Sequence, residues 1–135
     1  MYTYKTKIRV RYSETDKMGF VYNGNYAQYY EVGRVEMLRS LGMTYGMMEE
    51  YGVMMPLIEM NSKFIKPAFY DQEITIKTTV RDLPGARIVF AYELYNEDEE
   101  LINTGSTTLA FINIERRRPC APPKYFMDRI RQFFI

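Results

Sequence analysis

Apolar and polar residues alternate from the start of the chain. Tyr2, Tyr4, Ile8, Val10 and Tyr12 fall on one side, and Thr3, Lys5, Lys7, Arg9 and Arg11 on the other. That period of two predicts a strand over 2–12 with one solvated face. The period changes near residue 25. Tyr26, Tyr30, Gly33, Met37 and Leu41 recur at spacings of three and four, which predicts a helix over 25–41. Asn25 stands where an N-cap belongs, with Gln28 three residues on in capping-box spacing, and Asn23 is a competing cap. Gly42 suits the position after the last helical turn. Gly33 in mid-helix costs about 1 kcal/mol against alanine. Such a residue makes sense where the helix backbone must approach a sheet closely. A short second helix is expected over 44–51, ending at Gly52.

The remainder reads mostly as strands. Residues 53–66 form an apolar, bent segment with Pro56 near its start. Residues 73–82 set Ile74, Ile76 and Val80 against Glu73, Lys77 and Arg81, and 87–95 alternate through Ile88, Phe90, Tyr92 and Leu94. Between them, Leu83-Pro84-Gly85-Ala86 places proline and then glycine at the centre of a type II turn. Residues 96–100 are an acidic turn and 101–113 the last strand. Pro119, Pro122 and Pro123 then break the chain before a short terminal helix carrying Phe126, Ile130 and Phe133 or Phe134.

The order is strand, helix, short helix, four strands, helix. Short turns make the last three long strands antiparallel neighbours. One main helix must cover most of a sheet face, an α+β arrangement. Its length fits one domain spanning residues 1–135. A sheet this size with one helix leaves edges and a face bare, and oligomerisation is the expected remedy.

Composition narrows the chemistry. A net charge of +1 gives no reason to expect nucleic acid or an anionic membrane as partner. No stretch approaches the roughly 20 apolar residues of a membrane span, and the alternating amino terminus is unlike a signal peptide. The single cysteine, Cys120, cannot pair within the chain, which fits a reducing compartment and a cytoplasmic protein. There is no histidine. His-based triads, His-dependent hydratases and His-ligated metals are therefore excluded within this chain, and with one cysteine a structural zinc is excluded too. No metal is expected, and acid–base work falls to Asp, Glu, Tyr, Lys or water.

The segment 13–24, SETDKMGFVYNG, leads directly into the main helix. Asp16 is a carboxylate near the entrance of a helix whose first amides lack intrahelical partners and carry partial positive charge. A carboxylate facing free amides suits acyl transfer: the amides polarise the carbonyl, and the carboxylate attacks it or activates water. By spacing alone, an aspartate here more often caps or solvates, and both readings stay open.

The run Glu14-Thr15-Asp16, with Gly19, Val21-Tyr22 and Asn25-Tyr26 at their spacings, resembles the signature of the 4-hydroxybenzoyl-CoA thioesterase family. These are hotdog-fold acyl-CoA thioesterases, and the likeness is closest to the branch containing the Tol–Pal-associated enzymes. It continues through Tyr30-Glu31, Arg34, Phe64-Ile65-Lys66-Pro67-Ala68 and Tyr70-Asp71, and weakly through 107–112. The resemblance implies a curved antiparallel sheet of about five strands wrapped around one long helix. It implies hydrolysis of a small acyl-CoA thioester to free acid and CoA, with Asp16 as nucleophile or general base. The backbone amide that polarises the carbonyl falls at or beside Asn23, which brings in Gly24, and Gly19 lets the loop turn. Subunits pair as homodimers or homotetramers. The alternative is a protein of the same fold that binds acyl-CoA or acyl carrier protein without turnover. No cofactor is implied, since CoA enters as part of the substrate. One departure stands out: the closest branch commonly has histidine where this chain has Asn23, and asparagine donates a hydrogen bond but shuttles no proton near neutral pH.

CoA brings phosphates, which basic residues must meet. Lys63, Lys66, Arg87 and the run Arg116-Arg117-Arg118 are candidates, each more often a solvated surface charge when taken alone. Lys66, Arg87, Arg117 and Arg118 are taken as expected substrate contacts, together with Gly19, Val21 and Tyr22. Met18 and Tyr22 are candidates for the acyl pocket, while Met54, Met55 and Phe64 are assigned to the core. Glu31 is a second carboxylate to weigh, with an ion pair to Arg34 at i+3 as its simpler role.

Overall fold

The alternating segments become strands because each buries one side. In β5 (Arg87–Tyr95), Ile88, Phe90, Tyr92 and Leu94 are almost wholly buried while Arg87 and Val89 face solvent. The computed structural model describes residues 1–134. It pairs β5 with β4 (Glu73–Val80) and with β6 (Leu101–Ala110), β4 with β1 (Tyr2–Arg9), and β6 with β3 (Leu57–Phe64). The result is a five-stranded antiparallel sheet in the order β1-β4-β5-β6-β3.

Helix α1 (Tyr26–Ser40) packs across β1, β4 and β5. Tyr26, Tyr30, Gly33, Met37 and Leu41 are all buried, as the spacing predicts. Gly33 is where the helix meets the sheet: a Cβ there would lie 2.5 Å from Thr78 Oγ1 and 2.8 Å from Ile76 Cγ2. The Tyr30 ring stacks on Tyr92, centroids 4.3 Å apart and planes 8° apart. Its hydroxyl donates to Asn103 Oδ1 and shares a 2.7 Å hydrogen bond with Ser62 Oγ. This helix cradled by an antiparallel sheet is the hotdog arrangement expected above.

Several sequence-based boundaries shift. Residues 53–66 are not one bent strand. Val53 and Met54 form β2 in a separate three-stranded sheet with β7 (Ile112–Asn113) and β8 (Arg118–Pro119), and β3 begins only after Pro56. The proline sits at the crossing because it lacks the N–H a continuous ladder would need. The last strand divides likewise, at Phe111. Tyr12 does not share the face of β1. The chain leaves the sheet after Arg9, and Tyr12 opens a 3-10 turn (Tyr12–Glu14) with its ring 77% exposed. The expected capping box at Asn25 and Gln28 is absent. Asn25 is itself helical in φ and ψ, a 3-10 turn (Asn23–Asn25) precedes α1, and the Asn25 amide donates instead to Glu14 O at 3.0 Å. Gly85 lacks the positive φ of a type II turn.

The short helices conform more closely. Thr44 caps α2 (Tyr45–Glu50) by accepting from Met47 N at 3.1 Å, and Gly52 follows it with φ +77°. In α3 (Lys124–Arg131), Phe126 and Ile130 are buried, while Phe133 lies beyond the helix and is exposed. No helix among the described residues is long and apolar enough to cross a membrane.

The two edges of the main sheet differ in chemistry. β1 shows Lys5, Lys7 and Arg9 to solvent, charges that discourage edge pairing. β3 exposes Leu57, Ile58, Met60 and Phe64, each 44–51% accessible, and pairs on one side only.

Candidate active site

The loop between β1 and α1 is held at both ends. The Glu14 carboxylate is buried and accepts from the Arg11 amide at 2.8 Å, the Arg11 guanidinium at 3.1 Å and the Tyr29 hydroxyl at 2.9 Å. Burial alone would raise this carboxyl; the Arg11 amide, Tyr29 and the guanidinium outweigh it and hold the group below its ordinary value. Burial and the adjacent carboxylate push the Tyr29 hydroxyl well above its usual range. The Glu14 carbonyl accepts from Tyr22 N at 2.8 Å, so Glu14 binds both the outgoing strand of the loop and the helix.

Within the loop the chain doubles back, with Thr15 bridging to Val21 and Phe20 to Phe69. Asp16 N donates to Phe20 O at 2.8 Å and Gly19 N to Asp16 O at 3.0 Å. This tight turn needs Gly19 at φ +81°, a conformation that costs other residues a Cβ clash. Asp16 Oδ1 accepts from Met18 N at 2.9 Å and Phe20 N at 3.3 Å. Those bonds fix the carboxylate, and its other oxygen, Oδ2, has no partner among the described residues. The 3-10 turn opening α1 leaves a second set of loose ends: the amides of Asn23 and Gly24 have no acceptor among the described residues.

Asp16 and Asn23 line the same cleft of about 200 Å³. It is lined by Asp16, Met18, Phe20, Val21, Asn23 and Tyr26 on one side and by 64–67 on the other. The Tyr26 ring meets Phe64 edge-on at 5.1 Å, and burial raises the Tyr26 hydroxyl to about 12, so it is a neutral donor. An acid with a free oxygen, two unpaired amides and an apolar wall can hold a carbonyl compound for attack.

The predicted site residues divide into two groups. Asp16, Val21, Asn23 and Lys66 line the cleft, Gly24 follows Asn23 in the 3-10 turn but is not part of the lining, and Gly19 shapes the turn. Met18 is at the mouth, while Tyr22 is exposed and lies outside the lining, its ring against Gly24. The Lys66 ammonium pairs with Glu100. Arg87 is elsewhere: it pairs with Ala110, at the sheet end where Leu57 pairs with Leu109, whereas Phe64 at the cleft pairs with Asn103. Arg117 and Arg118 sit on the hairpin between β7 and β8, near that same far end, with Arg116 N donating to Asn113 Oδ1 at 2.8 Å. The expected Glu31–Arg34 ion pair is not formed; Glu31 is exposed, and Arg34 Nε donates to Tyr45 at 2.9 Å. Phe64 is half-exposed and lines the cleft, in place of the core position assigned to it.

Phe20, Tyr26, Ile65 and Pro67 line the cleft although the pattern of the sequence does not mark them as site residues. Phe20 and Ile65 carry a signal, being large apolar residues in or beside polar, glycine- and proline-bearing segments. Periodicity marks neither Tyr26 nor Pro67, because a helix stripe and a strand end account for them, and their signal is that both fall within the family-like runs Asn25-Tyr26 and 64–68. Among the described residues no three Cys, Asp or Glu gather as a metal site would require.

The family model described as Thioesterase-like superfamily matches residues 10–130 of the chain. The chain is 35% identical to YneP of Bacillus subtilis, named provisionally as an acyl-CoA thioesterase, over 95% of this chain and 93% of that one. It is 26% identical to the acyl-CoA thioester hydrolase YbgC of Escherichia coli O157:H7, over 96% of each. Among solved structures, DHNA-CoA thioesterase from Staphylococcus aureus superposes with a TM-score of 0.85 at 36% identity, covering 99% of this chain and 85% of that one.

Proposed function

Since the chain belongs to the thioesterase-like superfamily and is an acyl-CoA thioester hydrolase, we propose that Asp16 and the amides of Asn23 and Gly24 carry out the hydrolysis. The thioester enters the cleft with its carbonyl oxygen accepting from those amides. Asp16 Oδ2 either attacks the carbonyl carbon or removes a proton from the water that does. The carbon–sulfur bond breaks, CoA leaves as the thiol, and the acid is released, directly or after water opens the transient anhydride. One oxyanion donor is worth about 3–4 kcal/mol of barrier. The observation that carries the reading is the shared cleft: Asp16, with one carboxylate oxygen free, and Asn23, whose amide has no acceptor among the described residues, line one space of about 200 Å³.

The acyl group is small, in keeping with a cleft of about 200 Å³. The protein works as a homodimer formed through β3. That strand offers an unpaired backbone edge flanked by exposed Leu57, Ile58, Met60 and Phe64, and a second copy satisfies both. Antiparallel pairing about the middle of β3 brings the Leu57 end of one subunit to the Phe64 end of the other. Arg87, Arg117 and Arg118 at the Leu57 end then meet the phosphates of CoA bound in the partner's cleft. No resident cofactor takes part, and acyl carrier protein is the competing carrier.

The test is thiol release from a panel of short aliphatic and aromatic acyl-CoA esters. Turnover of at least one ester, above the rate without protein, is expected. Saturable binding of esters with no thiol release from any would instead identify a non-catalytic carrier protein.

A further inference from the structure

A second cavity, about 260 Å³, opens between α1, α2 and β2. Its lining is mostly flexible and apolar, Met48, Val53, Met54 and Met55, and its polar groups are Arg34, Tyr45, Glu31 and Glu49. Arg34 is the unusual member. Its residue is only 8% exposed, yet among the described residues no carboxylate lies within ion-pair distance of it. Its Nε donates to the Tyr45 hydroxyl at 2.9 Å, and Tyr92 is the other polar group close by. The Tyr92 hydroxyl takes a further hydrogen bond from the guanidinium, and the donors left over open toward the cavity that Arg34 lines. Buried charges are ordinarily paired, and a guanidinium carries five donors. A fixed cation with spare donors facing an apolar-walled space is built to receive an oxygen from outside the chain. Glu31 and Glu49 are exposed at the rim, where carboxylates disfavour an anion and leave a neutral oxygen as the better fit.

The cavity and the reaction cleft lie at opposite ends of one subunit. Arg34 is about ten residues along the helix from Gly24, roughly 15 Å at 1.5 Å per residue. Met54 and Met55 precede the Leu57 end of β3, and the cleft is at its Phe64 end. In the β3-paired dimer these ends meet across the two-fold axis. We infer that Arg34 is a specificity-determining residue: it donates to a neutral oxygen at the far end of the acyl group whose carbonyl is held in the partner subunit's cleft. This rests on the thioesterase and dimer reading above. Tyr45 acts as a positioning residue by holding the guanidinium through Nε.

The experiment compares esters that differ by one distal oxygen, 6-hydroxyhexanoyl-CoA against hexanoyl-CoA and 4-hydroxybenzoyl-CoA against benzoyl-CoA. The wild type is expected to favour the oxygenated member of at least one pair by 10-fold or more in kcat/KM. Arg34→Met should abolish that preference with little change on the plain ester, and Tyr45→Phe should weaken it. A mixed dimer of one Asp16→Asn and one Arg34→Met chain, isolated through two different tags, contains one intact composite site. It should recover about half the wild-type rate on the oxygenated ester, although neither parent homodimer has it. No wild-type preference in either pair, an equal fall on both members, or no recovery in the mixed dimer would overturn the inference. If Arg34→Met does not fold, the wild-type panel and Tyr45→Phe decide alone, an unchanged preference in Tyr45→Phe counting against it. Absence of turnover on every ester would instead strike the thioesterase reading itself.

Discussion

The Tyr29 hydroxyl donates a 2.9 Å hydrogen bond to the buried Glu14 carboxylate, and through it the first turn of α1 grips the loop that carries Asp16. The same carboxylate takes the Arg11 amide, and the Glu14 carbonyl takes Tyr22 N and the Asn25 side chain. Distance and direction between Asp16 and the helix amides are thus set two residues away from Asp16, by a group with no chemistry of its own to perform.

Glu14→Gln should therefore lower stability by about 2 kcal/mol, the worth of one or two hydrogen bonds to a buried charge. The Arg11 guanidinium is mostly exposed and adds little to that figure. The sign of its pH dependence follows from the lowered Glu14 carboxyl. Its contribution is fully present above the unfolded-state value of about 4.3 and is lost as pH falls through the lower folded value. Urea unfolding of both proteins from pH 7 to pH 3 should show the gap narrowing only at the acid end. A constant gap would mean that Glu14 contributes nothing through its charge.

Gly33→Ala should destabilise despite the better helix propensity of alanine. The new methyl would meet Thr78 Oγ1 and Ile76 Cγ2 at 2.5 and 2.8 Å. Overpacking of this kind costs about 1–3 kcal/mol, against about 1 kcal/mol gained in the helix. Thermal melts should show a net loss of up to several degrees, eased when Thr78→Ala is added.

The helix stripe and the alternation of β4 and β5 could be read from the residues alone, because period and burial coincide there. Gly33 was legible for the same reason: a glycine in mid-stripe weakens its helix unless a neighbouring backbone or side chain needs the room. Residues 53–66 were not legible as two strands. A continuous apolar run does not say which sheet it joins, and Pro56 marks a break only once the partners on each side are known. At the site, the Asp16 loop and the helix start were readable as neighbours in sequence. The second wall was not, since Phe64 and Ile65 arrive through a pairing between strands far apart in the chain. The Lys66–Glu100 pair was invisible for that reason as well, and the Arg34–Tyr45 contact because it depends on how α2 folds back on α1.

The β3 edge gives a prediction about assembly. Ile58→Lys together with Met60→Lys places two charges on the strand proposed to pair with its copy. Light scattering after gel filtration should show a dimer for the wild type and a monomer for the double variant. Loss of thiol release should accompany the monomer, because the residues that meet CoA come from the partner. A double variant that remained a dimer would place the interface elsewhere.

Asn23→Pro separates backbone from side-chain chemistry. Proline suits the first position of a helical turn, and Tyr22 already has φ −64° and ψ 140°, the conformation that precedes proline comfortably. If the Asn23 amide polarises the carbonyl, kcat should fall by about 10²–10³ with folding intact. Asn23→Ala keeps the amide and should lose less than 10-fold. Equal effects of the two substitutions would assign the role to the side chain or to Gly24.

The central claim is that Asp16 performs the reaction, and Asp16→Asn tests it most directly. An asparagine Oδ1 still accepts from Met18 N and Phe20 N, so the turn and the melting temperature should be retained. Turnover of the best acyl-CoA ester should fall by about 10²–10⁴, the usual contribution of one acid–base group. A variant that kept near wild-type kcat with the same melting temperature would contradict the account.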